Sequence, residues 1–154
     1  MPAPTRPTPD RDSREWWERV ALGEFAVQEC EGCGLRRFPS RAFCVRCRGE
    51  GRRWVAIRPV GTVESWVVSH RPFGQGEIVV TIRLDEVPDA VVHGSWEGTG
   101  EPEGGSRARA VFTAVDDTLT LVGWREDHGA TGTLEDGPLA TRSVSDVRSS
   151  GGAG

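Results

Sequence analysis

The chain has 154 residues, a net charge of −4 and an apolar fraction of 36%. No run of eighteen apolar residues occurs, so no helix is expected to span a membrane. The opening Met-Pro-Ala-Pro-Thr-Arg-Pro-Thr-Pro lacks the apolar centre of a secretory signal, and a soluble cytoplasmic protein is expected.

Residues 1–12 are Pro-rich and polar and read as a flexible lead-in. A short helix is predicted within 13–24. Asp12 is the expected N-cap, Glu15 stands at capping-box spacing, and Gly23 ends the helix. Trp16, Trp17, Val20 and Ala21 form one apolar stripe at helical spacing. That stripe suits packing on the chain's own domain, and equally a helix that docks on a partner through Trp16, Trp17 and Val20.

Residues 25–58 carry the four Cys of the chain as Cys30-x-x-Cys33 and Cys44-x-x-Cys47. Two such turns supply four soft sulfur ligands, the complement of a structural Zn²⁺ with no open coordination position. Gly34 follows the first pair, where a knuckle takes a left-handed residue. Disulfides are disfavoured without an export signal, and an iron–sulfur centre is the other alternative. Phe25–Glu29, Leu35–Pro39 and Trp54–Ile57 alternate with the Cys pairs in the strand, knuckle, strand, knuckle, strand order of a zinc ribbon.

All 19 basic residues are Arg, each a planar and permanently charged fork. They are unevenly placed: residues 1–60 hold 12 Arg against 8 acids, and the remainder 7 Arg against 15 acids. Residues 36–58 alone hold 8 Arg and one acid, Glu50. Part of this charge offsets the negative Zn(Cys)₄ centre. The rest suits nucleic acid, the phosphates of a nucleotide-like cofactor or an acidic protein.

From Gly61 onward, strands separated by Gly, Pro and Asp are predicted at 62–70, 77–84, 90–96, 107–115 and 119–125. Five short strands without an intervening helix predict a small closed barrel over 59–126. Residues 127–154 thin into Gly, Ser, Thr and Asp and read as a flexible tail. The three His, at 70, 93 and 128, show no spacing that would group them with a Ser and an acid. Acidic pairs such as Asp85-Glu86 and Asp116-Asp117 read as turn residues. No catalytic residue is assigned. The acidic, Arg-poor barrel strands argue against a nucleic-acid face.

The combination of a Trp-bearing helix ending at Gly23, Phe25-Ala26-Val27-Gln28-Glu29-Cys30-Glu31-Gly32-Cys33-Gly34, Phe38-Pro39-Ser40-Arg41, Cys44-Val45-Arg46-Cys47 and Gly61-Thr62-Val63-Glu64-Ser65-Trp66 resembles the zinc-ribbon and OB-fold family once labelled domain of unknown function thirty-five. The resemblance covers about residues 13–126. It implies a mainly β protein with an N-terminal helix, a Cys₄ ribbon and a five-stranded OB barrel. It also implies a non-catalytic accessory subunit of a thiolase-superfamily enzyme acting on acyl-CoA, in a two-plus-two heterotetramer. The partner would resemble the lipid-transfer-protein type that acts as a steroid side-chain aldolase, with acetyl-transferring thiolases and hydroxymethylglutaryl-CoA synthase-like enzymes as alternatives. On this reading CoA is bound mainly by the partner, and Arg36, Arg37 and Arg41 are candidate contacts to its phosphates. A nucleic-acid-binding ribbon and barrel is the competing class.

Overall fold

A computed structural model describes residues 6–70 and 76–129. The start of the lead-in, most of the expected turn at 72–76 and the tail from residue 130 lie outside them.

The order of elements is α1 (Arg14–Ala21), β1 (Ala26–Cys30), β2 (Arg36–Arg37), β3 (Arg52–Ala56), β4 (Val60–Ser69), β5 (Glu77–Leu84), β6 (Val91–Ser95), β7 (Arg107–Asp116) and β8 (Leu119–Glu126). The helix starts later than a cap at Asp12 would place it. Ser13 holds the N-cap position without a side-chain cap bond, and Asp10 caps the turn that leads into it. Its Oδ1 accepts from the backbone N–H of Asp12 and Ser13 at 3.1 and 2.7 Å, while Ser13 Oγ accepts from the Asp10 N–H at 3.0 Å. The reciprocal pair satisfies orphan donors one turn before the regular helix. At the other end Gly23 adopts φ +76°. There the Glu24 and Gly23 N–H groups donate to the Arg19 and Val20 carbonyls at 3.0 and 2.9 Å, a Schellman ending.

Two antiparallel sheets follow, in the orders β2-β1-β3 and β6-β5-β4-β7-β8. In the larger sheet β4 is central. It pairs with β5 over most of its length but with β7 only across Val60–Thr62. β7 begins at Arg107, so beyond Thr62 this edge of β4 bonds to the preceding loop, where the Val63 N–H donates to the Ser106 carbonyl at 2.9 Å and the Gly105 N–H to the Val63 carbonyl at 2.8 Å. A bulge between Val63 and Ser65 interrupts the pairing with β5, and β7 pairs with β8 from Ala108 to Asp116. The sheet curls until its edges meet at one parallel bridge, Trp96 to Trp124, supported by the Glu97 N–H donating to the Trp124 carbonyl at 2.7 Å. This is an OB-like arrangement, partly open rather than the closed barrel expected from strand count alone.

The core is shared between the sheets. Phe25, Val27 and Ile57 from the ribbon side pack in one cluster with Val63, Val80, Ile82, Leu84 and Trp124. Phe25 is the junction: its ring centroid lies 5.9 Å from Trp16 of α1, 5.8 Å from Phe38 and 6.2 Å from Trp124 of β8. Edge and tilted contacts at these distances add specificity to the area they bury.

Gly61 lies where β4 meets β5. A Cβ there would overlap the Arg83 carbonyl oxygen and sit 2.8 Å from Ile82 Cγ2. Replacing Gly61 by Ala is predicted to lower the thermal midpoint by roughly 5 °C or more, read by circular dichroism, because the central strand pair must separate. An unchanged midpoint would show that this pairing is not a fixed part of the fold.

Candidate metal centre and flanking groove

The three-stranded sheet presents its two knuckles side by side. In the first, the Gly34 N–H donates to the Cys30 carbonyl at 2.8 Å and the Cys30 N–H to the Leu35 carbonyl at 3.0 Å. In the second, the Arg48 N–H donates to the Cys44 carbonyl at 2.8 Å and the Cys44 N–H to the Gly49 carbonyl at 2.9 Å. The two turns repeat one geometry, and each needs a left-handed residue after its second Cys. Gly34 supplies it at φ +69° and Arg48 at φ +63°. An L residue pays a steric cost there that Gly does not.

The repeat brings the four sulfurs within 4.8 Å of one another. Cys30 Sγ is 3.5 Å from Cys47 Sγ, and Cys33 Sγ is 3.5 Å from Cys44 Sγ. A tetrahedron with Zn–S bonds of ~2.3 Å has edges of about 3.8 Å, so the donor set fits one zinc ion. Cys30 and Cys44 are buried, Cys33 is half-buried and Cys47 is exposed.

Backbone amides prepare this set for a cation. The Cys47 N–H, with that of Arg46, lowers the Cys44 thiol to about 6 against the opposing effect of burial. At Cys30 burial opposes the change, but N–H groups of Cys33 and Gly32 still draw the thiol below its ordinary value. Cys33 is offered an N–H by Leu35, yet burial and the neighbouring sulfurs, Cys44 first, push it up to about 11. Four sulfurs this close resist carrying four negative charges until a cation sits among them.

The strand register explains how the ribbon reaches its second knuckle. Glu29 on β1 stands opposite Arg36 on β2 and Arg53 on β3, and pairs with both. The Arg36 guanidinium, then that of Arg53, holds the Glu29 carboxyl below the usual carboxylate range. One residue earlier, buried Gln28 accepts through Oε1 from Arg37 Nε at 3.0 Å and from the Arg41 N–H at 2.9 Å. Arg37 Nη2 donates to the Arg41 carbonyl at 3.2 Å. Gln28 and Arg37 thus clamp the segment that carries the chain to Cys44.

These contacts reassign several residues expected to bind ligands or partners. Arg37 is 7% exposed and is held by Gln28 and the Arg41 carbonyl, although it lines the same groove as Arg41. Arg36 is engaged with Glu29 and lies 3.7 Å from Glu86. Arg41 remains exposed at the rim of a groove of about 380 Å³ between the ribbon and the β5–β6 connection. Leu35, Phe38, Val45 and Val87 give that groove an apolar lining, and Arg46 adds charge. Arg46 was not singled out from the sequence, although its place inside Cys44-x-x-Cys47 was the available signal. Val20 is fully buried and so faces the chain's own interior rather than a partner, while Trp16 is half-buried and packs one side on Phe25 and Phe38. Trp17 is half-buried beside Trp16, and Leu22, at 85% exposure, is the prominent apolar group at this end. His70, His93 and His128 are all exposed, and His93 Nδ1 lies 3.0 Å from Thr81 Oγ1.

Comparison with known proteins agrees with this geometry. Residues 17–51 match the family described as ChsH2, rubredoxin-like zinc ribbon domain. A solved structure described as the Ltp2-ChsH2(DUF35) aldolase is 25% identical with a TM-score of 0.73, over 79% of this chain and 98% of that one. A protein of unknown function of the DUF35 family from Sulfolobus solfataricus is 17% identical with a TM-score of 0.53, over 73% of this chain and 83% of that one. That second likeness speaks to the fold alone. No curated protein sequence matches the chain. The ribbon is a rubredoxin-like zinc ribbon, and its cofactor is a structural zinc ion.

The knuckle geometry makes a signed prediction. Arg48→Gly should keep one zinc per chain and stabilise the fold by about 0.5–1 kcal/mol, because the left-handed site no longer strains a side chain. Arg48→Val should destabilise it. Denaturant midpoints measured beside zinc content by atomic absorption test the pair; a Gly variant less stable than the parent contradicts the repeat of one knuckle geometry.

Proposed function

We propose that this chain is the zinc-ribbon partner subunit of a thiolase-like enzyme acting on acyl-CoA thioesters, and that it contributes surface rather than catalytic groups. The observation that carries the reading is the match to the Ltp2-ChsH2(DUF35) aldolase, which spans nearly the whole of that chain at a TM-score of 0.73. We further propose Cys30, Cys33, Cys44 and Cys47 as the four zinc ligands, and units divided as helix 13–24, ribbon 25–58 and barrel 59–126. The assembly would be a two-plus-two heterotetramer, since an enzyme built on a two-fold axis offers each accessory chain an equivalent seat. A steroid side-chain retro-aldolase is the first partner to test.

The chain's physical character supports this role. The ribbon and barrel share one core, so they present a single stiff surface. On that surface the described residues expose Leu22, Phe43, Val45 and Val67, each more than half accessible. Apolar groups held on rigid turns bind with little ordering cost. The groove beside the second knuckle adds Arg41 and Arg46, whose forks suit the phosphates of a CoA thioester.

Two outcomes test the proposal. Co-expression with a thiolase-like enzyme encoded nearby should give a complex that survives gel filtration. A chain that elutes alone beside every such enzyme contradicts the subunit role. Within the complex, Arg41→Ala is expected to raise KM for the acyl-CoA about tenfold at unchanged kcat, the signature of a lost contact made equally in ground and transition states. An unchanged KM removes Arg41 from the CoA channel while leaving the subunit role standing.

A further inference from the structure

The four Cys of the ribbon are not equally covered. Cys30 and Cys44 are buried and Cys33 is half-buried, whereas Cys47 is exposed. Two glycines stand beside the Cys47 sulfur. A Cβ at Gly32 would lie 3.5 Å from Cys47 Sγ and 3.8 Å from Cys30 Sγ, and a Cβ at Gly49 would lie 3.4 Å from Cys47 Sγ. Neither Gly32 nor Gly49 adopts a positive φ, so the backbone does not demand glycine at either position. Their effect is to leave the Cys47 sulfur, and the Cys30 sulfur behind it, without side-chain cover on the sides where an Ala methyl would touch them.

The surroundings suit reaction at that sulfur. Arg46 and Arg48, both exposed, flank Cys47 in the chain. Cys30 Sγ stands 3.5 Å from Cys47 Sγ, close enough to act on it next. A thiolate that is exposed, in basic surroundings and beside a second sulfur is the one that oxidants reach first. Cys33 and Cys44 form a second pair at 3.5 Å, but Cys44 is 1% exposed. The ribbon therefore carries one open sulfur pair and one covered pair.

We propose that Cys47 is an oxidation site, at which a hydroperoxide joins Cys47 to Cys30 and so empties the zinc centre. The proposal rests on the four Cys being the zinc ligands, and not on the subunit role. With hydrogen peroxide, the Cys47 thiolate attacks one peroxide oxygen; an S–O bond forms, the O–O bond breaks and hydroxide leaves. The Cys30 thiolate then attacks the Cys47 sulfur; an S–S bond forms, the S–O bond breaks and a second hydroxide leaves. The two sulfurs give up two electrons, which reduce one peroxide, and solvent protonates both hydroxides. Two of four ligands are lost in the process, too few to hold a structural zinc ion. A ribbon that depends on the metal loses its second knuckle with it. Oxidation thereby switches off the surface around Phe43 and Val45.

The zinc-loaded full chain, treated with hydrogen peroxide, tests this. A chromophoric chelator follows released zinc, and the remaining thiols are alkylated for mass spectrometry. Cleavage after Arg46 separates Cys44 from Cys47, and fragmentation between Cys30 and Cys33 completes the pairing. The expected product is a Cys30–Cys47 disulfide that appears at the rate of zinc release, with Cys33 and Cys44 alkylated. Gly32→Ala and Gly49→Ala should each still load one zinc per chain and lose it about three- to tenfold more slowly than the parent, because the added methyl covers the sulfur. Parental rates in both variants would overturn the proposal, as would a Cys33–Cys44 disulfide formed first. A parent chain that holds no zinc before peroxide is added would overturn the ligand assignment, and this proposal with it.

Discussion

The fold depends first on what gathers the sulfurs. From Glu31 to Ala56 the chain buries only Arg37 and Cys44, and it has no apolar core of its own in that stretch. Its ordered shape comes from backbone bonds around two turns and from ion pairs such as Glu29 with Arg36 and Arg53. Exposed ion pairs contribute little singly. A structural zinc ion supplies on the order of 10 kcal/mol to modules of this kind, so the metal outweighs every other interaction in the ribbon. The same stretch holds the exposed Phe43, Val45, Arg41 and Arg46, and that part of the surface is therefore metal-dependent.

The metal's influence does not stop at the ribbon. β1 leads directly from Phe25, which touches helix, ribbon and barrel, to Cys30, which enters the metal centre. Five consecutive buried residues, Ala26 to Cys30, join those two points. Val27 is apolar and packs in the shared core, whereas Gln28 turns its polar end to Arg37 and the Arg41 N–H. This strand therefore joins the knuckles to the core that helix, ribbon and barrel share.

Much of this was legible beforehand, for physical reasons that also set the limits. Four Cys at knuckle spacing admit few alternatives, and Gly34 marked the left-handed turn. Period-two alternation bounded by Gly, Pro and Asp located the strands, and β5 begins and ends where the pattern placed it. What stayed hidden is what periodicity does not encode. An apolar stripe states that a helix face is covered, not by what, and Trp16 and Val20 proved to face Phe25's side of the chain. The Arg-rich stretch looked uniformly available. Cross-strand register put Gln28 opposite Arg37 and buried that Arg against it, while Arg41 and Arg46, which line the same groove, stayed exposed. The cap at Asp10 was missed because Ser13, not Glu15, completes it. The barrel's partial opening lies between its edge strands β6 and β8, which meet at the bridge from Trp96 to Trp124, and alternation within each strand does not announce how far two edges pair.

The central claim is that zinc builds a binding surface and takes no part in chemistry. The most direct measurement compares a Cys44→Ser chain with the parent by sedimentation velocity in the presence of the thiolase-like enzyme proposed as its partner, with turnover measured on the assembled fraction. The account predicts that assembly falls steeply while turnover per assembled complex stays at the parental value. Normal assembly with reduced turnover would contradict it, and would move the metal from scaffold to active site.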